Sequence, residues 1–400
     1  MSTGRPTRIY LDHNATTPIF PEVADAVCAS WAEPGLNPSS QHAFGHRARR
    51  ALDEAHDRIA ELLGAKPTLP APDRVIFTSG GTEANNLAVL GTLQTSAARP
   101  ADPSRNHLII SAIEHPSITA IAEELEQGGW QVDRLGVDRN GVICVDELRR
   151  MLRPETRVVA AMLANNETGV IQPVAELAAI CAEHGVPLHT DAAQAAGKMP
   201  LSFRALGAST MTIAPHKFGG PVGIGALLVR HDVDLTPQLF GGRQQAGFRA
   251  GTIPVTLAVG MCRALELWNA HRRGWLDHLK KLRDEFESAL RRGIESARLV
   301  FFGEAVDRLP NTSNVAFVGL DRQALFMALD QAGVACSAGS ACASGSSEPS
   351  PVLEAMGFDP AVISSALRFS LGVATTRVEV DEAAQRIIRI CNNLGRQKRR

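Results

Sequence analysis

The 400-residue sequence predicts an α/β layer fold with a mostly parallel sheet, followed by a smaller α+β domain. Three observations carry this. Short β-rich runs alternate with helical patterns from residue 74 to residue 229. The polar residues with chemical potential fall mostly just after those runs, where the carboxyl ends of parallel strands gather ligands. Beyond about residue 255 the alternation gives way to one long charged helical pattern and shorter strands. The expected division is a large domain over 15–255 and a small α+β domain built from 1–14 and 256–400, the latter carrying Cys342 and Arg368.

Arg74-Val75-Ile76-Phe77-Thr78 reads as a strand, and Ser79-Gly80-Gly81-Thr82-Glu83 as a turn opening a helix through Ala84 to Gly91. His107-Leu108-Ile109-Ile110 is a second strand, followed by a helix around Ile118 to Glu126. Val158 to Leu163 is a third strand. Val174, Leu177, Ala178, Ile180 and Cys181 form an apolar helical face that ends at His184-Gly185. Pro187-Leu188-His189 leads to Asp191, Met211-Thr212-Ile213 leads to Lys217, and Ile224 to Val229 is a further strand. The long helix runs from Thr256 to about Arg298. Strands follow around Leu299–Phe302 and Asn314–Phe317, with helices at Asp321–Ala332 and Val380–Leu394. Proline-containing polar stretches near 64–73 and 94–106 read as surface loops.

Composition excludes several classes. Hydrophobic residues make up 44% and charged residues 21%, as in ordinary globular proteins. Lys+Arg number 41 against 42 Asp+Glu, for a net charge of -1, without the basic excess of a general nucleic-acid binder. No run of eighteen apolar residues predicts a transmembrane helix, and no apolar leader precedes Ile9, so a cytoplasmic location is expected. Seven scattered cysteines, an odd number, suggest free thiols in a reducing compartment. None has zinc-site spacing, and no metal is expected.

Lys217 in Ala214-Pro215-His216-Lys217-Phe218-Gly219-Gly220 and Asp191 in His189-Thr190-Asp191-Ala192-Ala193-Gln194 form the most informative pair. A lysine can hold the aldehyde of pyridoxal phosphate (PLP) as a Schiff base. A carboxylate on the pyridine nitrogen keeps it protonated, so the ring accepts electrons. Alone, Asp191 reads as a capping carboxylate. Ser79-Gly80-Gly81-Thr82 sits where a strand becomes a helix. Backbone N–H groups and the Thr82 hydroxyl suit a phosphate there, and Gly81 allows close approach, although a plain Gly turn with a Thr cap has the same letters. His115 in Glu114-His115-Pro116 ends a strand and offers a flat ring for stacking, or is a satisfied surface histidine. Asn166 in Asn165-Asn166-Glu167-Thr168-Gly169 offers an amide to a phenolic oxygen, or an ordinary turn. Cys342 lies in Ser337-Ala338-Gly339-Ser340-Ala341-Cys342-Ala343-Ser344-Gly345, a run of small residues that cannot pack a core and predicts a mobile loop. Such a loop suits a thiol that attacks in one place and delivers in another. Cys336, after apolar Val334-Ala335, is expected to be buried. Arg368, on an apolar strand-like run, fits a carboxylate bidentately or a structural ion pair.

Together these residues resemble the PLP-dependent cysteine desulfurases of the nitrogen-fixation and iron–sulfur-cluster type, within the class V aminotransferase group. The match runs from Tyr10-Leu11-Asp12-His13-Asn14-Ala15-Thr16-Thr17-Pro18 to Arg368-Phe369-Ser370-Leu371-Gly372, nearly the whole chain. Between these lie Asn37-Pro38-Ser39-Ser40, Glu114-His115-Pro116, His216-Lys217 and Arg249-Ala250-Gly251-Thr252. Ser340-Ala341-Cys342 followed by Glu348-Pro349-Ser350 is similar to the long-loop subgroup.

The resemblance implies a fold-type-I homodimer and a set of roles. Lys217 is the implied Schiff-base lysine and Asp191 the pyridinium partner. Gln194 and Asn166 contact the phenolic oxygen, and His115 stacks on the ring. Thr82 and His216 bind phosphate, joined by Thr252 of the neighbouring subunit. Asn37 and Arg368 hold the substrate carboxylate. In the implied reaction L-cysteine displaces Lys217 from the cofactor, the freed amine takes the α-proton, and the Cys342 thiolate attacks the substrate sulfur. The products are alanine and a Cys342 persulfide, with His115 as the candidate base. The implied acceptor is a protein, either an iron–sulfur scaffold or a tRNA-thiolation factor. Selenocysteine lysis, another class V PLP reaction and a weakly active sulfur-relay scaffold are the alternatives. Two departures stand out: Ala214 replaces the family's usual serine, and Gln245-Ala246 replaces its usual Glu-Arg.

Overall fold

The computed structural model describes residues 7–68, 70–95, 106–339 and 349–397. Strand β1 (Ile9–Tyr10) is followed by helices α1 (Pro21–Ala32) and α2 (Ala43–Leu62). The alternating part follows: β2 (Arg74–Thr78), α3 (Gly81–Leu93), β3 (His107–Ser111), α4 (Pro116–Gln127), β4 (Gln131–Leu135), α5 (Val145–Met151) and β5 (Thr156–Ala160). It continues through α6 (Val174–Glu183), β6 (Leu188–Asp191), α7 (Phe203–Leu206), β7 (Thr210–Ile213) and β8 (Gly225–Val229). Next come α8 (Val255–Gly293), β9 (Leu299–Phe301), β10 (Thr312–Phe317), α9 (Arg322–Gln331) and β11 (Val334–Ala335). The chain closes with α10 (Pro351–Ala355), α11 (Pro360–Ile363), β12 (Ala366–Ser370) and α12 (Arg377–Gln397).

Seven strands form one sheet in the order β2-β8-β7-β6-β5-β3-β4. Only β8 runs antiparallel to its neighbours, β2 and β7. The pairs β3–β4, β3–β5, β5–β6 and β6–β7 are parallel. The central strands are buried because helices cover both faces; β3, β6, β7 and β8 are buried at every position. The polar loops that leave their carboxyl ends converge on one edge.

A smaller antiparallel sheet, β12-β10-β9, lies over a second core of Phe286, Phe317, Leu325, Phe369 and Ile387. The parallel pair β1–β11 packs there too, so the N-terminal residues complete the C-terminal unit. Helix α8 belongs to both cores: Val255 to Leu267 pack in the first, and Leu279 to Leu290 in the second. Among the described residues no helix is long and apolar enough to cross a membrane.

The long helices α1 and α2 were not expected from the sequence, nor were the short α5, α7, α10 and α11. In α2 the buried Ala48, Leu52, Ala55 and Ile59 make a helical stripe, but its apolar signal is diluted by four arginines and four carboxylates.

Candidate active site

A cavity of about 410 Å³ lies where the loops leaving β3, β5, β6 and β7 face the start of α3 and the strand β12. Lys217, Asp191, His115, Gln194 and Asn166 all line it, as do Gly81, Thr82, His216 and Arg368. Residues scattered over nearly three hundred positions of sequence thus share one wall-to-wall space.

Asp191 ends β6, and its carboxylate is held from two sides. Its Oδ1 accepts from the Ala193 N–H at 2.8 Å and its Oδ2 from Asn85 Nδ2 at 2.8 Å. Asn85 is oriented in turn by His189, whose Nε2 lies 3.1 Å from its Oδ1, and His189 Nδ1 lies 2.9 Å from Thr210 Oγ1. Burial pushes the His189 pKa down to about 4, so the ring is neutral and carries one proton for this chain. The acid is therefore aimed by a relay that runs through Asn85 of α3 and His189 of its own strand to Thr210 of the neighbouring β7.

Lys217 follows β7 on a single 3₁₀ turn begun by Pro215. Its Nζ donates to the backbone carbonyls of Asn14 and Ala15, each at 2.8 Å. Asn14 is the junction of the site and is 1% exposed. Its N–H donates to Ser370 Oγ, and its Nδ2 to Thr312 Oγ1 and to the Asn166 carbonyl. Gln194 Nε2 donates to its carbonyl at 2.9 Å, and Lys198 Nζ to its Oδ1 at 3.1 Å. One buried amide thereby ties the lysine-bearing loop of the large sheet to β10 and β12 of the small one.

His115 caps α4: its Nδ1 accepts from the Ser117 N–H and lies 2.8 Å from the Ser117 hydroxyl. This fixes the ring against the cavity. Beside it Glu114 is fully buried. Burial raises its pKa to about 7, against the opposing pull of the Ser111 hydroxyl and the Met162 N–H that donate to its Oε1.

At the other end, α3 begins at Gly81 with no side-chain cap, leaving its first N–H groups directed at the cavity. Nothing stands within 4 Å of where a Gly80 side chain would begin, while a Cβ on Gly225 would lie 2.4 Å from the Gly80 carbonyl carbon. Only glycine lets β8 start beneath this turn. Burial and the nearby Lys217 charge hold His216 at a pKa of about 4, so it is a neutral donor or acceptor. A Cβ at Gly81 would sit 3.5 Å from the Ala214 methyl, so position 214 faces the α3 turn.

Arg368 is 1% exposed and lies on β12. Its Nη2 donates to Asp12 Oδ1 at 2.7 Å and its Nη1 to the Asn166 carbonyl at 3.0 Å, while Nε is buried without a partner. The ion pair and the cavity position coexist.

Two expected site residues are not part of this cavity. Asn37 and Thr252 are exposed, and neither is among the residues lining it. Cys342 lies outside the described residues. The flanks of its segment do reach the site: Ser350 Oγ donates to Glu167 Oε2 at 2.6 Å, and Pro351 and Val352 line the cavity. On the other flank, a Cβ at Gly339 would stand 3.4 Å from the same Glu167 oxygen. Cys336 is 7% exposed, and burial pushes its thiol up to about 12, as its apolar setting suggested.

The Gln245-Ala246 departure has its own solution. Gln245 Oε1 accepts from the Phe77 N–H at 2.7 Å and its Nε2 donates to the Phe77 carbonyl at 2.8 Å, so the side-chain amide pairs with edge strand β2 as a peptide unit would. The Glu83–Arg249 pair beside it is intact at 2.7 Å.

Asn14, Asn85, Glu114 and Lys198 were not expected as site residues, although each stands inside or beside a motif that marks the site. Their roles depend on partners far away in the sequence or on burial, which the motif letters do not show.

The model of the aminotransferase class-V family matches residues 9–383. The cysteine desulfurase of Cereibacter sphaeroides is 41% identical over 94% of this chain and 93% of its own length. The cysteine desulfurase IscS of Dictyoglomus turgidum is 38% identical over 96% and 95%. A solved NifS-like protein superposes with a TM-score of 0.87 at 30% identity, covering 97% of this chain and all of that one. The chain belongs to the class V aminotransferase family, and within it to the PLP-dependent cysteine desulfurases.

Proposed function

We propose that this protein removes sulfur from L-cysteine, releasing L-alanine and keeping the sulfur as a persulfide on Cys342. The observation that carries this is the single cavity uniting Lys217, Asp191, His115 and the open start of α3. The donor set fits PLP. An amine suits its aldehyde, a doubly held carboxylate suits its pyridine nitrogen, and uncapped N–H groups with Thr82 and neutral His216 suit its phosphate. When bound there, PLP supplies an electron sink for charge developing at the substrate Cα.

The chain's own residues do the rest. Lys217 holds the cofactor by its amine and, once displaced, rests between the Asn14 and Ala15 carbonyls. From there its Nζ takes the α-proton. His115 stacks on the ring, and Gln194 and Asn166 face the phenolic oxygen. Arg368, with its unpartnered Nε, and Asn37 bind the substrate carboxylate. Cys342 Sγ forms a bond to the substrate sulfur as the carbon–sulfur bond breaks. The electron pair stays on carbon, which a proton converts to the methyl of alanine. A thiolate is required, and His115 accepts the thiol proton. Glu167 supports this reading of Cys342, because the described flanks of the segment meet at that one carboxylate on the cavity wall.

The working unit is a homodimer. Thr252 lies off the cavity of its own chain and reaches the phosphate of a neighbour. Trp31 and Phe240, 65% and 85% exposed, lie in the interface between copies. The protein works in the cytoplasm and hands sulfur to a protein acceptor, an iron–sulfur scaffold or a tRNA-thiolation factor. The large domain spans 15–255, and the small one comprises 1–14 and 256–400.

The test is the colour of the purified protein. Absorbance in the visible range, fixed onto the peptide containing Lys217 by borohydride, is the expected result. A colourless protein that takes up no PLP rejects the assignment.

A further inference from the structure

Lys198 is 4% exposed and lies one helical turn after Gln194. Among the described residues its Nζ has two acceptors, both neutral amides: Gln194 Oε1 at 2.5 Å and Asn14 Oδ1 at 3.1 Å. The orientation of both amides is settled by their other partners. Asn14 Nδ2 donates to a carbonyl and to the Thr312 hydroxyl, whose own proton goes to Asn311 Oδ1. Gln194 Nε2 donates to the Asn14 carbonyl, which can only accept. A flipped Gln194 would set its NH₂ against the Lys198 amine and its oxygen against a carbonyl. One Nε2–H of Gln194 is used by Asn14, and the residue lines the cavity.

We propose that Lys198 is a positioning residue that grips the carbonyl oxygen of Gln194, so that Gln194 presents a donor and never an acceptor to the phenolic oxygen of the cofactor. This rests on the reading of the cavity as a PLP site. The surroundings favour an uncharged amine for this. Burial drives its pKa well below the ordinary lysine value, and the neighbouring cations Lys217 and Arg368 push the same way. A buried ammonium between two amides would lack a counter-ion and would repel a protonated Lys217. A neutral amine keeps the grip without that repulsion.

The test uses the holoenzyme and reads the pH at which the visible absorbance of the bound cofactor changes. A donor on the phenolic oxygen favours the deprotonated chromophore, in which that oxygen carries uncompensated negative charge. Lys198→Met removes the grip and should raise the transition by roughly half to one pH unit, as for the loss of one modest hydrogen bond. Gln194→Ala should raise it by a similar amount, and the double variant should move no further than Gln194→Ala alone. A Lys198→Met protein that titrates like the parent overturns the proposal. So does an additive shift in the double variant, which would mean that Lys198 acts through charge rather than through Gln194. Where Lys198→Met does not fold, Lys198→Gln takes its place, and the same non-additivity is expected. A parent protein with no cofactor absorbance at all defeats the PLP reading itself, and the role of Lys198 falls with it.

Discussion

Position 214 shows how far a single residue tunes this site. Ala214 is buried against the α3 turn, where a serine would add one hydroxyl donor beside the uncapped N–H groups. A hydrogen bond to a charged group is worth about 1.5–3 kcal/mol at best, and a bridging water can supply much of it where the side chain does not. Ala214→Ser should therefore tighten PLP by about 1 kcal/mol, seen as roughly five-fold slower cofactor loss. Faster loss at unchanged fold stability would show that position 214 does not serve the phosphate. Lys217 and Asp191 were legible in the sequence because each ends an apolar run and they lie close together in the chain. Asn14 and Lys198 were not, because their hydrogen bond joins residues 184 positions apart and only the folded chain brings them together. Asn85 was hidden for the same reason: its bond to Asp191 spans 106 positions.

Among the elements, the loop from Gly241 to Thr252 is the one held by side chains rather than by a ladder. Gln245 and Ala246 both adopt left-handed backbone, at φ 49° and 55°, where a side chain costs about 1 kcal/mol or more. The strain is offset by the paired hydrogen bonds of Gln245 to Phe77 and by the Glu83–Arg249 ion pair. Gln245→Ala keeps the strain and leaves a buried N–H and C=O of β2 unsatisfied. It should lower stability by about 1–3 kcal/mol, read as a lower urea midpoint with unchanged slope. An unchanged midpoint would mean that the edge of β2 is satisfied in another way. The parallel-sheet strands were legible as short apolar runs between turn residues. Helices α1 and α2 were not placed, since α1 buries only Val23 and Val27 and α2 intersperses charged residues through its apolar stripe. The long α8 was legible as a helix, but its sharing between two cores was not, because amphipathic periodicity does not reveal which partner a face meets.

At the scale of the whole molecule, buried histidines set the acid limit. His13, His189 and His216 each have a pKa near 4, lowered chiefly by burial, against an ordinary 6.5. The unfolded chain therefore binds more protons between these values. Stability from these groups is complete above about pH 6.5 and is lost as the pH falls towards 4. Glu114 works oppositely: its carboxyl, raised to about 7, gives stability that is complete below its ordinary 4.5 and lost as the pH rises towards 7. His107 is lowered by burial like the other three histidines, and Glu167 is raised like Glu114, so the histidines still predominate and thermal stability should fall on acidification below about 6. His189→Gln keeps hydrogen bonds to Thr210 and Asn85 without titrating and should flatten that fall by about 2–3 kcal/mol at most. An equally steep acid limb in this variant would place the titration elsewhere. On this reading the two cores cooperate to move one sulfur atom from free cysteine to Cys342. The decisive measurement is incubation of the holoenzyme with L-cysteine, followed by peptide mass mapping and alanine quantification. Alanine should be released together with one extra sulfur on the peptide containing Cys342, and both should be lost in Cys342→Ala with the cofactor still bound. Alanine formation at the parental rate in Cys342→Ala, or the extra sulfur on Cys336, would contradict it.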